Sequence, residues 1–297
     1  MAPSPAKNKS RTSRNTAEIA REICAAIKDV YYDSSKDSFK KRTTDLLNLY
    51  KQERDVIINK DEYMSELGYR VDVFLDGAKC QEGQLRVFKL YALLAIKCLK
   101  DLGDSSILET VMLSIHKKKY NISAFIRNSV VALIGRLLYC AVLEPKKGDD
   151  EENFYASVLP ERTFIDLYTI LWHLSADMDE DIRVGVLIAI ARVQSYPGLM
   201  KLVDTDTMET TKQLFVLGTR DPSEKVRCQA VKGITIETAG ESRLLLERLI
   251  HDPCEEVRLE IAKKLSTDVP ITFFFKAERQ SLIRARDLFL AGKHLIQ

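Results

Sequence analysis

The chain has 297 residues, 45% hydrophobic and 30% charged, with 45 Lys and Arg against 43 Asp and Glu and a formal charge of +2. That composition excludes a wholly disordered chain and leaves enough length to bury a substantial core. Twelve glycines and eight prolines are too few for an all-β chain, and the near-neutral total by itself points to neither nucleic acid nor membrane.

In chain order, residues 1–16 come first. They are polar, carry Lys7, Lys9, Arg11 and Arg14 without an acid, and so hold +4. A segment that cannot bury a core is expected to be a disordered basic tail, and its polarity speaks against a secretory signal. From Ala17 to the end the apolar spacing is that of helices, with no alternating strand pattern of useful length. Lys40-Lys41-Arg42 form a compact basic cluster at the start of an amphipathic stretch. Arg86, Lys89, Lys97 and Lys100 fall within an arc of about 80° on one helix, with Leu, Ala and Val on the other side. A cationic stripe of that width can follow a phosphate backbone by displacing its counterions. The same pattern is common on solvated helix faces. Lys117-Lys118-Lys119 sit at a joint.

Ile126, Val130, Leu133 and Leu137 mark one helix face, and Ile182, Val186, Ala189 and Val193 another. Between them, Glu144 to Asn153 carries five acids and two lysines and reads as a solvated loop. The most apolar run, Ser129 to Leu143, is interrupted by Arg136 and is too short for a membrane span. The six cysteines form no C-x-x-C pair. They read as reduced, buried thiols of an intracellular protein.

A repeat organises the second half. Asp221-Pro222-Ser223-Glu224-Lys225-Val226-Arg227 recurs 31 residues later as Asp252-Pro253-Cys254-Glu255-Glu256-Val257-Arg258. At the same offset Leu214 matches Leu245, Phe215 matches Leu246, Ala230 matches Ile261 and Ile234 matches Leu265. Asp opens the turn after one helix, Pro is tolerated early in it, and acids favour the positive N-terminus of the next helix. The Val is expected to pack inward, and the Arg to return to the Asp of its own or a neighbouring repeat. Related starts stand at Arg183, Arg127 and, more weakly, Arg86, with spacings of 41, 56, 44 and 31 residues along the series. The pattern predicts an all-α chain: a HEAT-repeat α-solenoid, an α-α superhelix of about six helix pairs.

The run Asp181-Ile182-Arg183 through Val193-Gln194, followed by the repeat at Asp221 to Ile234, resembles the N-terminal part of the CAP-G subunit of condensin. Phe125-Ile126-Arg127 through Leu138, the helix pair at Leu244 to Leu265, a closing helix around Glu278 to Leu290 and the opening stretch Ile19 to Tyr50 suit the same family. The resemblance implies a non-enzymatic subunit that binds the kleisin chain and, with it, double-stranded DNA without regard to sequence, the SMC subunits being indirect partners. It places the chain in the nucleus and on chromosomes, partly in the cytoplasm, with no membrane partner. Lys40, Lys41 and Arg42 fall where that family carries a basic pair early in its first repeats, and Arg86, Lys89, Lys97 and Lys100 extend the candidate DNA site.

Residues 258–297 hold eight Lys and Arg against four acids, and Phe273-Phe274-Phe275 is a candidate for a partner or for further repeats. No aromatic alternates with the basic clusters in a base-stacking rhythm, which points to backbone contact. For catalysis the sequence offers no nucleophile or metal constellation. None of His116, His173, His251 and His294 is followed by Glu, and no glycine-rich phosphate loop is present. No cofactor is expected. The alternative reading is a HEAT-repeat protein-binding scaffold, of transport-receptor or cytoskeletal type, that does not bind DNA.

Overall fold

A computed structural model describes residues 16–33, 35–77, 82–141, 158–194, 205–268 and 283. Twelve α-helices and no strand occur among the described residues. The chain is an all-α protein of stacked helices, in two compact units that divide after Lys118. The basic tail to residue 15, the acidic joint at 144–153, Phe273 to Phe275 and the basic positions beyond 268 lie outside the described residues.

The first unit contains α1 (Thr16–Tyr32), α2 (Lys36–Glu53), α3 (Ile57–Asp76), α4 (Glu82–Leu102) and α5 (Ser106–Lys118). The middle of this unit is α4, which packs against all four of the others. Its Val87, Phe88, Leu90, Tyr91, Leu94, Ala95 and Cys98 are therefore buried on several sides, and its Arg and Lys residues are confined to one narrow strip. Gly103 closes the helix in the left-handed region at φ 63°, its N–H bonded to the Leu99 carbonyl at 3.0 Å.

The next residue, Asp104, ties three helices together. It accepts from the Tyr50 hydroxyl at 2.7 Å, from Lys60 Nζ at 3.5 Å, and from the Ser106 N–H and hydroxyl at 2.9 and 2.6 Å. Burial opposes its charge, but the hydrogen bonds from Ser106 and Tyr50 and the Lys60 charge outweigh it and hold the carboxyl well below the usual range.

The second unit contains α6 (Ala124–Cys140), α7 (Glu161–Leu174), α8 (Glu180–Gln194), α9 (Thr205–Gly218), α10 (Glu224–Gly233), α11 (Ala239–His251) and α12 (Glu255–Asp268). Here the stacking is strictly successive. Helices α6, α8, α10 and α12 pack in that order, while α7, α9 and α11 each lie against the helix that follows. This is HEAT-type repeat stacking, in which each pair of helices buries its apolar faces on its neighbours.

The matched apolar positions of the helices are buried: Leu214, Phe215, Val226, Ala230 and Ile234 in one copy, Leu245, Leu246, Val257, Ile261 and Leu265 in the other. Ile182, Val186, Ala189 and Val193 are likewise buried. On α6, Val130, Leu133 and Leu137 are buried and Ile126 half-buried.

The repeated turns resolve into a ladder. Arg127 bonds both oxygens of Asp177 at 2.7 and 2.8 Å, and Arg183 both oxygens of Asp221 at 2.8 Å each. Arg227 bonds both oxygens of Asp252 at 2.8 and 3.0 Å. The remaining guanidinium nitrogen turns back to carbonyls of the arginine's own turn: Asn121 and Ile122 for Arg127, Asp177 and Met178 for Arg183, Asp221 and Pro222 for Arg227. Arg258 repeats that last contact with the Asp252 carbonyl at 2.6 Å. Each aspartate also accepts the N–H two residues on, from Asp179, Ser223 and Cys254 respectively, which opens the following helix.

Two sequence expectations change. Arg86 is not a ladder arginine, for its bonds run to α1. The described cysteines are not uniformly buried: Cys98 is, while Cys24, Cys140, Cys228 and Cys254 are half-buried. Burial pushes the Cys98 thiol up to about 12, and burial likewise raises that of Cys228.

Candidate nucleic-acid interface

The candidate basic residues of the first unit lie on α2 and α4, which pack together. Their helices form for ordinary reasons: Thr43, Leu46, Leu47 and Tyr50 of α2 are buried, and that face dictates which residues are left outside. Lys40 and Lys41 are exposed. Lys89 is half-buried and sets its ammonium 5.3 Å from the centre of the Phe39 ring, which brings the α4 stripe beside the Lys40 end of α2. Lys97 is half-buried and Lys100 exposed on the same strip. From Lys89 to Lys100 the strip runs about 16 Å along the helix. None of Lys40, Lys41, Lys89, Lys97 and Lys100 is paired with a carboxylate among the described residues.

The other two candidates have internal partners. Arg42 turns toward α1, where it meets Asp29 at 2.6 Å, and it also reaches Asp45 at 3.4 Å. Arg86 donates to the Val30 and Tyr31 carbonyls at 3.1 and 2.6 Å, filling acceptors that the end of α1 leaves open, and it meets Glu82 at 3.1 Å. Gly83, one turn earlier on the same face, allows this approach, since a Cβ there would lie 2.6 Å from the Tyr31 carbonyl oxygen. Sequence spacing placed Arg86 correctly on the stripe but carried no sign that α1 ends beneath it.

Elsewhere the basic clusters disperse. Lys118 is bonded to both oxygens of Asp76 at 2.7 Å, and Lys119 lies 5.1 Å from the centre of the Tyr120 ring. In the second unit Lys263 is 4.0 Å from Glu260, and Lys264 donates to the Lys232 carbonyl at 3.0 Å. Lys36, exposed at the start of α2, adds a cation beside Lys40 that residue spacing alone gave no reason to single out. Among the described residues no group of His, Cys, Asp and Glu could hold a metal ion, and no helix is long and apolar enough to cross a membrane.

No protein-family model matches the chain, and no curated protein matches it. Similar solved structures, at low identity, include designed armadillo repeat proteins. A designed armadillo repeat protein, YIII(Dq)4CqI, is 14% identical, with a TM-score of 0.40 over 90% of this chain and 100% of that one. The MAST/Orbit N-terminal domain is 16% identical, with a TM-score of 0.35 over 90% of this chain and 96% of that one. Cex1p is 14% identical, with a TM-score of 0.34 over 95% of this chain and 54% of that one. The repeat architecture rests on the buried periodic positions and the arginine ladder, independently of these likenesses.

Proposed function

We propose that the chain is a non-enzymatic helical-repeat subunit of the CAP-G type in condensin, which holds the backbone of double-stranded DNA and a kleisin segment for chromosome condensation, in the nucleus and on chromosomes. The observation that carries the DNA reading is the juxtaposition of Lys40 and Lys41 on α2 with Lys89, Lys97 and Lys100 on α4, all without carboxylate partners among the described residues. Lysines on rigid helices are suited to phosphate contact. They present point charges without the planar fork that reads base edges, so binding is sequence-indifferent. Arg42 and Arg86 support the site by fixing α1 against α2 and α4.

The test is fluorescence anisotropy of the full chain with duplex DNA of two unrelated sequences. Five phosphate contacts give a slope of about −4.5 in log affinity against log salt, a loss of about 500-fold between about 50 and about 200 mM. A Lys40→Glu, Lys41→Glu, Lys89→Glu variant loses most of that affinity. Equal binding by variant and wild type, or a salt slope near zero, removes these lysines from the site.

The alternative is a protein-binding repeat scaffold without DNA binding. It is favoured by one observation, an aromatic groove in the first unit that none of Lys40, Lys41, Lys89, Lys97 and Lys100 lines. Binding of a kleisin peptide with no binding of duplex DNA would decide for this reading.

A further inference from the structure

Helices α1 and α3, together with Gln84 of α4, line a groove of about 490 Å³, within the range of about 300–1,000 Å³ usual for ligand sites. Ile27, Tyr31, Tyr32, Val73 and Phe74 supply its apolar and aromatic lining. Tyr32 is 79% exposed and Val73 41%, and Tyr69, one turn before Val73 on α3, is 58% exposed. A solvated helix pair ordinarily presents Lys and Glu at such positions, and an apolar concavity rimmed by polar groups marks a binding surface.

The charged lining consists of two cations, Lys28 and Arg70, with no carboxylate. Arg70 is neutralised, its Nε donating to Glu66 at 2.6 Å while its guanidinium lies 5.2 Å from the centre of the Tyr69 ring. Lys28 is exposed and has no acidic partner among the described residues. The groove thus combines an apolar lining with one uncompensated positive charge.

We propose that this groove is a docking site for an acidic, amphipathic segment of a protein partner, which seats large apolar side chains against Ile27, Tyr31 and Phe74 and sets a carboxylate against Lys28. None of the lysines of the DNA reading lines the groove, and the proposal does not depend on that reading.

Single-stranded nucleic acid would also use aromatics and a cation, but the rings here are turned to one another rather than offered as parallel platforms. Tyr31 and Tyr32 meet edge to face at 4.9 Å and 82°, and Tyr31 and Phe74 are tilted by 41° at 5.8 Å. One unpaired cation is also too few to track a phosphate chain.

The test uses the full chain and three labelled probes. One is an acidic peptide of about twelve residues with Leu and Phe at helical spacing, the second is the same peptide with Lys for Glu, and the third is an oligothymidylate of similar length. The acidic peptide is expected to bind at least about tenfold more tightly than the basic one, and Lys28→Glu to reverse the order. Val73→Glu and Tyr32→Ala both change exposed positions and are expected to weaken the acidic peptide about tenfold, with the melting curve and duplex-DNA binding unchanged. Four results would overturn the proposal: equal affinity for both peptides, indifference to Lys28→Glu, displacement of the peptide by the oligothymidylate, or a concentration-dependent dimer abolished by Val73→Glu. The last would assign the groove to a second copy of the chain.

Discussion

Arg227 on α10 and Asp252 in the turn before α12 share two hydrogen bonds of 2.8 and 3.0 Å, and both side chains are nearly sealed from solvent, at 10% and 1% exposure. The pair joins one repeat to the next. It succeeds energetically because the second aspartate oxygen is also satisfied by the Cys254 N–H and the spare guanidinium nitrogen by the Asp221 and Pro222 carbonyls.

Removing one member leaves the other buried and charged. Asp252→Ala is therefore expected to cost about 3 kcal/mol or more in urea unfolding. Asp252→Asn keeps an acceptor for the Cys254 N–H and should cost less. A loss below about 1 kcal/mol for the alanine variant would show that the ladder is decorative.

Acid should weaken both units through the same chemistry. Hydrogen bonding by Arg127 holds the Asp177 carboxyl below its ordinary value, and Asp104 is held down by Ser106, Tyr50 and Lys60 against the opposing effect of burial. A carboxylate whose folded value is depressed contributes stability that is fully present above the unfolded value, 3.8 here, and is lost as pH falls through the folded one. The difference in urea midpoint between wild type and Asp104→Asn should accordingly shrink as pH is lowered from about 6 to about 3. A difference independent of pH would mean that the charge of Asp104 contributes nothing.

Gly83 separates helix propensity from packing. Alanine in place of glycine within a helix is ordinarily favourable by about 1 kcal/mol. Here its Cβ would lie 2.6 Å from the Tyr31 carbonyl oxygen, a backbone atom that can yield only if α1 moves. Gly83→Ala is expected to lower the melting temperature, and a rise would refute the close approach.

Arg86 and Lys89 lie one turn apart on the same stripe and should behave differently. Arg86→Ala strips two α1 carbonyls of their donor and is expected to cost about 1–3 kcal/mol in stability. Lys89→Ala gives up one ring contact with Phe39 and should leave stability nearly unchanged while weakening duplex-DNA binding and reducing the salt slope by about one phosphate. Thermal melts and anisotropy on the two variants distinguish the roles.

The second unit was largely legible in the sequence because its information is local. The Asp-Pro turn, the inward Val and the apolar positions around them sit within some thirty residues of each other and recur, and all the matched apolar positions proved buried. The direction of the arginine was left open by spacing, since its own turn and the next were equally reachable. The structure uses both, the carboxylate of the following turn and the carbonyls of its own. Asn121 escaped notice because it is an amide, yet it fills the aspartate's place, its side chain accepting from the Ser123 N–H and its carbonyl from Arg127.

In the first unit the decisive contacts are distant. Arg86 reaches carbonyls 55 and 56 residues away, and Tyr50 meets Asp104 54 residues on, so the helical wheel could find the stripe without finding what lies under it. The aromatic groove likewise needs α1 and α3 side by side, which nothing in either stretch announces.

The ladder also bears on how such a chain can change in length. The arginines at 127, 183, 227 and 258 are separated by 56, 44 and 31 residues, yet the three rungs between them have nearly the same geometry. What is held constant is the meeting of a guanidinium with the next turn, and the chain between two rungs is free to lengthen wherever it does not enter that meeting. Insertions and deletions can therefore accumulate between rungs while the stacking register survives, whereas the loss of a single aspartate interrupts it.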